Sequence, residues 1–390
     1  MKYIVTLFLT FLYLFKCYAQ ESYYDYVKLG EYQINYADTI IYNNNIQYNQ
    51  YNYSGKTPMF VQVWYPSIKV NKTDQLKLGD FQFKNVPTNL VQVYEKLIAH
   101  MDDSFIKDGI TYDIVQGQPI DYSITTNEIL GKIKKIPTKS SRKHLDIKLD
   151  FPTIIYHHGS QGLSYENSIM AEYFASKGYV FISANFHLPY ENTIYGLLPY
   201  NLEKVNKHNQ SRAKKLIEYA KSITTQQNVF YIGHSWGAQE GWCFLNDSSL
   251  TDGFVSMETT IEYKKDTSKI KEMWPYVYES IKIKKNKFSI PILLLAAQDK
   301  NLNFDFFKNL STEKMVYATY KKPFGHNSYT SIYMMRYFLK SQINQPDSEV
   351  MLTQIKGYAS HLELIYEFLE SIRENKPFQY KKFEKDFIIK

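Results

Sequence analysis

The sequence predicts an α/β fold: a mostly parallel central sheet flanked by helices, with an N-terminal insertion. Three observations predict it. From Pro152 onward strand and helix signals alternate, which is the pattern of a parallel sheet covered on its faces. The run from Asn228 to Gln239 passes from an apolar strand through Gly233-His234-Ser235-Trp236-Gly237 into a helical pattern, a strand–tight turn–helix junction. The chemically suggestive side chains then fall beyond the carboxyl ends of the expected strands, where ligand chemistry sits in parallel sheets.

The elements before position 152 are expected to be less regular. A strand is predicted around 26–34, followed by a Tyr/Asn-rich turn region and a second strand over 59–66. In that second strand Val61, Val63 and Tyr65 alternate and Pro66 ends the run. Residues 67–150 read as an insertion with one helix over 90–101, where Leu90, Val91, Tyr94, Leu97, Ile98 and Met101 recur at helical spacing. The basic cluster Lys132, Lys134, Lys135, Lys139, Arg142 and Lys143 is read as a solvated loop feeding the next strand.

The second half is sharper. A buried strand over 153–156 ends in His157-His158-Gly159-Ser160. An amphipathic helix over 165–177 is closed by Gly178, and a strand follows over 179–184. The helix over 211–223 places Ala213, Leu216, Ile217 and Ala220 on one face. Further strands are expected over 229–232, 253–257, 290–297 and, as the last, 315–320. Helices are expected over 238–244 and near 331–341 and 360–374. The basic, aromatic stretch 261–289 is a possible cap segment, and the loop over 186–200 is expected to overhang the same place.

Residues 1–19 read as a secretory signal: Lys2, an apolar run, then Cys17-Tyr18-Ala19 with cleavage near Ala19. That run is too short to span a bilayer. Secreted or periplasmic localisation follows. A lipoprotein anchored through Cys17 suits the flanking Phe15 and Lys16 poorly, because that motif takes small residues there. Cleavage leaves residues 20–390 as one domain with Cys243 as its sole cysteine, so no internal disulfide is expected. Loss of Lys2 and Lys16 takes the formal charge from +7 to +5, too mild to argue for nucleic acid.

A serine hydroxyl is a weak nucleophile at neutral pH and needs a base within reach, which in turn needs an acid to orient it. Ser235 sits at the tip of the tight turn, and His326 follows the last expected strand beside Gly325. Two carboxylates compete for the third role. Asp299 follows the strongest strand after the turn and is the preferred choice; Glu258 follows the strand before it. A developing oxyanion needs donors, expected from the N–H groups of Trp236 and Ser160. His157-His158 as a metal pair is disfavoured, because adjacent strand residues point to opposite faces and no further ligand spacing accompanies them.

Together, the run Phe60-Val61-Gln62-Val63-Trp64-Tyr65-Pro66, the turn His158-Gly159-Ser160, the elbow Gly233-His234-Ser235-Trp236-Gly237 and Gly325-His326 resemble the α/β-hydrolase superfamily. Within it they are similar to the platelet-activating-factor acetylhydrolase and dienelactone-hydrolase-like branch. The resemblance implies carboxylic-ester hydrolysis through an acyl-enzyme, with no cofactor; no metal site is expected, on the residue grounds above. In the acetylhydrolase branch the acid follows the sixth strand, here the Glu258 position, where this sequence has glutamate instead of the usual aspartate. The expected partner is a small-molecule ester or lipid-like substrate. A serine peptidase or amide hydrolase, or a catalytically silent binding module on this fold, stays open.

Overall fold

The computed structural model describes residues 23–390 except 68–74, 114–116, 146–147, 161, 191–192, 195–201, 247–248, 286, 298–302, 309 and 313. The expected signal segment and Asp299 lie outside the described residues.

Eleven strands form one sheet. In chain order they are β1 (Gln33–Gln50), β2 (Tyr53–Ser67), β3 (Gln75–Lys77), β4 (Pro137–Arg142), β5 (Thr153–His157), β6 (Val180–Ala184), β7 (Val229–His234), β8 (Gly253–Met257), β9 (Ile292–Ala296), β10 (Met315–Tyr320) and β11 (Phe387–Ile389). Their order across the sheet is β11-β10-β9-β8-β7-β5-β6-β2-β1-β4-β3. The six strands from β10 to β6 are mutually parallel, and β2 joins them antiparallel through Val61–Trp64 against Phe181–Ala184.

The parallel strands are apolar on both sides because both sides are covered. Ile154, Phe230, Ile232, Val255, Leu293 and Leu295 belong to one core, and Ile155, Val229, Tyr231, Phe254, Ile292 and Leu294 to the other. Helices α1 (Val91–Ser104), α3 (Ser168–Ser176), α6 (Ile332–Phe338) and α7 (Ser348–Arg373) fill the first, with α2 (Thr126–Lys134). Helices α4 (Leu202–Ile223) and α5 (Trp236–Phe244) fill the second. The predicted inner face of α4 is found there, with Ala213, Leu216, Ile217 and Ala220 all buried.

Four expectations need correction. The first strand is longer and later than 26–34. It consumes the Tyr/Asn-rich segment as an arm paired to β2, irregular between Asn43 and Gln47 and turning at Tyr51 and Asn52, both at positive φ. Alternation was hard to see there because polar asparagines occupy strand positions. The basic cluster is not a loop: Thr125 caps α2 by accepting from the Glu128 N–H, and Lys139 and Arg142 lie on β4, which runs parallel to β1 through Ile34–Tyr36. The 315–320 strand is not the last, since β11 adds an antiparallel edge beside it. The helix predicted over 165–177 begins only at Ser168, because residues 163–167 form a buried polar turn.

Candidate active site

Strand β7 ends in the tight turn. Ser235 has φ 52° and ψ −113°, a left-handed region that non-glycine residues rarely adopt, at a cost of about 1–3 kcal/mol. The neighbours make the strain affordable. The Ser235 N–H donates to the Met257 carbonyl at 2.9 Å, and the Gln239 N–H donates to the Ser235 carbonyl at 3.0 Å, starting α5 at Trp236. A Cβ on Gly233 would lie 2.5 Å from the Ala238 amide nitrogen, and one on Gly237 would collide with the His157 carbonyl of β5. Both glycines are therefore fixed by backbone-on-backbone approach. Gly237→Ala is expected to abolish activity and to lower the thermal unfolding midpoint. A scan showing wild-type stability would mean that the turn opens elsewhere.

Glu258 leaves the carboxyl end of β8, the strand beside the turn. It also has positive φ, 49°, and its N–H donates to the Leu295 carbonyl of β9 at 2.9 Å. Its Oε2 accepts from the Tyr263 hydroxyl at 3.0 Å and from the Ala297 N–H at 2.8 Å. Its Oε1 lies 3.8 Å from Nδ1 of His326. That is beyond hydrogen-bond distance. Glu262 is buried beside it, accepting from the Thr259 hydroxyl at 2.7 Å. Burial, with the Glu258 charge added, pushes the Glu262 carboxyl well up. Glu258 is the carboxylate that faces the histidine.

His326 opens a short 3₁₀ turn, His326–Tyr329, after β10. Its backbone carbonyl accepts from Nε2 of His234, 3.0 Å away, and the two rings lie 4.8 Å apart. The structure thus brings together the turn, His326 and Glu258. The His326 side chain is 16% exposed. Burial holds its pKa below the ordinary 6.5 even though Glu258 pulls the other way, so the ring is neutral at neutral pH. His361, the other histidine after the turn, does a different job. It is packed among Phe324, Tyr320 and Phe387, bonded to the Gly357 carbonyl and pushed down to about 3 by burial.

The turn after β5 approaches from the other flank. His158 donates Nδ1–H to the Gly159 carbonyl at 2.7 Å and accepts the Phe186 N–H on Nε2 at 3.1 Å, which fixes its tautomer. The Gly159 N–H donates to Glu166 Oε1 at 3.1 Å, and the Gly162 N–H closes the turn on the Gly159 carbonyl at 3.2 Å. Ser160 sits at its tip, half-buried. His157 is engaged by the Tyr231 hydroxyl and stacks on Phe186 with ring centroids 3.6 Å apart. Among the described residues no group of three or more His, Cys, Asp or Glu could hold a metal ion.

The fold is that of the α/β-hydrolases. A ferulic acid esterase from Streptomyces cinnamoneus is similar over 88% of this chain and 89% of its own, with a TM-score of 0.51 at 10% identity. Est1E from Butyrivibrio proteoclasticus is matched over 53% of this chain and 89% of its own, with a TM-score of 0.33 at 15% identity. A dienelactone hydrolase from Anabaena variabilis is matched over 44% of this chain and 76% of its own, with a TM-score of 0.32 at 17% identity. No protein-family model matches the sequence, and no curated protein matches it. In this fold Ser235 stands at the strand–turn–helix junction between β7 and α5, with Glu258 after β8 and His326 after β10.

Several residues around the site carry no sequence signal. Tyr263 and Glu262 come from the stretch expected to be a cap, and their contacts to Glu258 depend on a left-handed Thr260 that no spacing reveals. Met273, Trp274, Pro275 and Tyr276 from the same stretch line a cavity of about 60 Å³ with Trp236, Gln239 and Cys243. A larger cavity, about 610 Å³, lies against β1 and residues 142–145 and shares none of these residues.

Proposed function

We propose that this chain is a serine hydrolase that cleaves carboxylic esters through an acyl-enzyme. Ser235 is the nucleophile, His326 the base and Glu258 the orienting acid, with the Trp236 and Ser160 N–H groups as oxyanion donors. The single observation that carries the reading is His326 bonded at its backbone to the elbow residue His234, while its Nδ1 faces the buried Glu258 carboxylate. That arrangement leaves Nε2 as the nitrogen for the nucleophile.

The chemistry follows from the roles. Nε2 takes the Ser235 proton as Oγ adds to the ester carbonyl, and the negative charge that develops on the carbonyl oxygen is met by the two N–H donors. The Glu258 charge stabilises the imidazolium. Collapse expels the alcohol, which takes the proton back from His326, and a water activated by the same ring then releases the acid. The cavity beside Trp236 is small and lined by Trp274, Tyr276 and Val277, which favours short acyl groups.

Turnover of p-nitrophenyl acetate and butyrate against the matching anilides tests the proposal. Ester hydrolysis is expected to exceed amide hydrolysis and to fall with longer acyl chains. Because His326 must be neutral, kcat/KM is expected to rise with pH through a limb centred below 6.5 and to be level above it. Faster anilide turnover would favour the amide hydrolase; no turnover of either would favour the binding module.

A further inference from the structure

Glu166 does not belong to the triad, yet it touches nearly every part of the site. Its side chain is 2% exposed. Oε1 accepts from the Tyr156 hydroxyl at 2.8 Å and from the Gly159 N–H at 3.1 Å, and lies 3.4 Å from Nδ1 of His234. The His234 ring spans from this carboxylate to the His326 carbonyl, which accepts from its Nε2. The Glu166 backbone carbonyl accepts from the Ser331 N–H at 3.0 Å, and the adjacent Asn167 donates to the Tyr329 carbonyl at 2.8 Å. The Glu166 carboxylate therefore meets the turn bearing Ser160 and the His234 ring of the elbow, while its backbone carbonyl and Asn167 hold the segment that follows His326.

We propose that Glu166 is a positioning residue that acts through His234 to hold His326 over the nucleophile, and that its charge is a second carboxylate supporting the imidazolium formed there. This rests on the assignment of Ser235 and His326 given above. A buried carboxylate with a purely structural part would do as well as an amide of the same shape, since the amide oxygen still accepts from Gly159 and Tyr156. The environment keeps it ionised instead. Burial raises the Glu166 pKa, but His234, His158 and the Gly159 N–H outweigh that and hold it below the usual carboxylate value. Three titratable groups act on His326 from the elements packed against it. Glu258, after β8, and Glu166, before α3, favour its protonated form, and His234, on β7, opposes it.

Those opposite signs make the test. In Glu166→Gln, kcat is expected to fall about 10- to 100-fold with KM little changed, since geometry in the transition state is lost and not binding. The acid limb of kcat/KM is expected to move to lower pH by about half a unit or more, because removing a negative charge disfavours the imidazolium. In His234→Gln, which keeps a donor for the His326 carbonyl but removes the opposing ring, the limb is expected to move the other way. NMR titration of the His326 ring in wild type and both variants reads the same shifts without turnover, so an inactive wild type would sink the esterase reading and leave this comparison standing. An unmoved His326 titration in folded Glu166→Gln, or shifts of the same sign in both variants, would reduce Glu166 to a packing role and overturn the proposal. Should Glu166→Gln fail to fold, an unmoved or lowered titration in His234→Gln does the same.

Discussion

Ser235→Ala is expected to reduce ester turnover by about 10⁴-fold or more while leaving the fold intact. The size follows from what is removed. The substitution removes the hydroxyl at the strained residue 235 and, with it, the proton that the base takes. Stability is expected to hold, because the substitution deletes one oxygen and keeps a Cβ at a position where the backbone strain is already present. Circular dichroism and thermal unfolding beside the kinetic assay separate the two effects. Turnover within tenfold of wild type would place the chemistry elsewhere.

The second large effect distinguishes the two acids. Glu258→Gln is expected to cost about 10³- to 10⁴-fold in kcat, since an amide facing Nδ1 offers no charge to the imidazolium and can hold the wrong tautomer. Asp299→Asn is expected to cost less than about tenfold. The expectation rests on three contacts that aim Glu258: the Ala297 N–H and the Tyr263 hydroxyl on one oxygen, and His326 against the other. The opposite result, a severe loss in Asp299→Asn with Glu258→Gln near wild type, would return the role to the carboxylate that the sequence favoured. Thermal unfolding of Glu258→Gln is a needed control, because the Ala297 N–H still finds an acceptor in the amide oxygen only if the side chain keeps its orientation.

The parallel half of the fold was legible because its physics is local. Apolar runs such as Ile292–Ala296 have no soluble alternative, and a Gly-flanked serine between a strand and a helix has few conformations open to it. The amino-terminal third was harder. Strand β1 is built from asparagine and tyrosine and owes its length to pairing with β2, a long-range contact that no window along the chain displays. Lys139 and Arg142 read as solvated charge, yet their segment is held as a strand because Ser140 and the Lys139 N–H bond the buried Glu172 carboxylate on α3. At the site, Ser235, His326 and the pair of candidate acids were visible from residue type and order. What was not visible was the choice between the acids. The contacts that aim Glu258 turn on positive-φ residues after β8 and on Tyr263, and Glu166 had no signal at all beyond a place at the edge of a predicted helix.

The elbow serine is proposed as the reactive nucleophile of this chain. Incubation of the folded protein with a fluorophosphonate, followed by tryptic digestion and mass spectrometry, reads it directly. A single phosphonylated peptide with the adduct on Ser235, lost in His326→Gln, is the expected result. An unlabelled protein, or an adduct on any other residue, would contradict it.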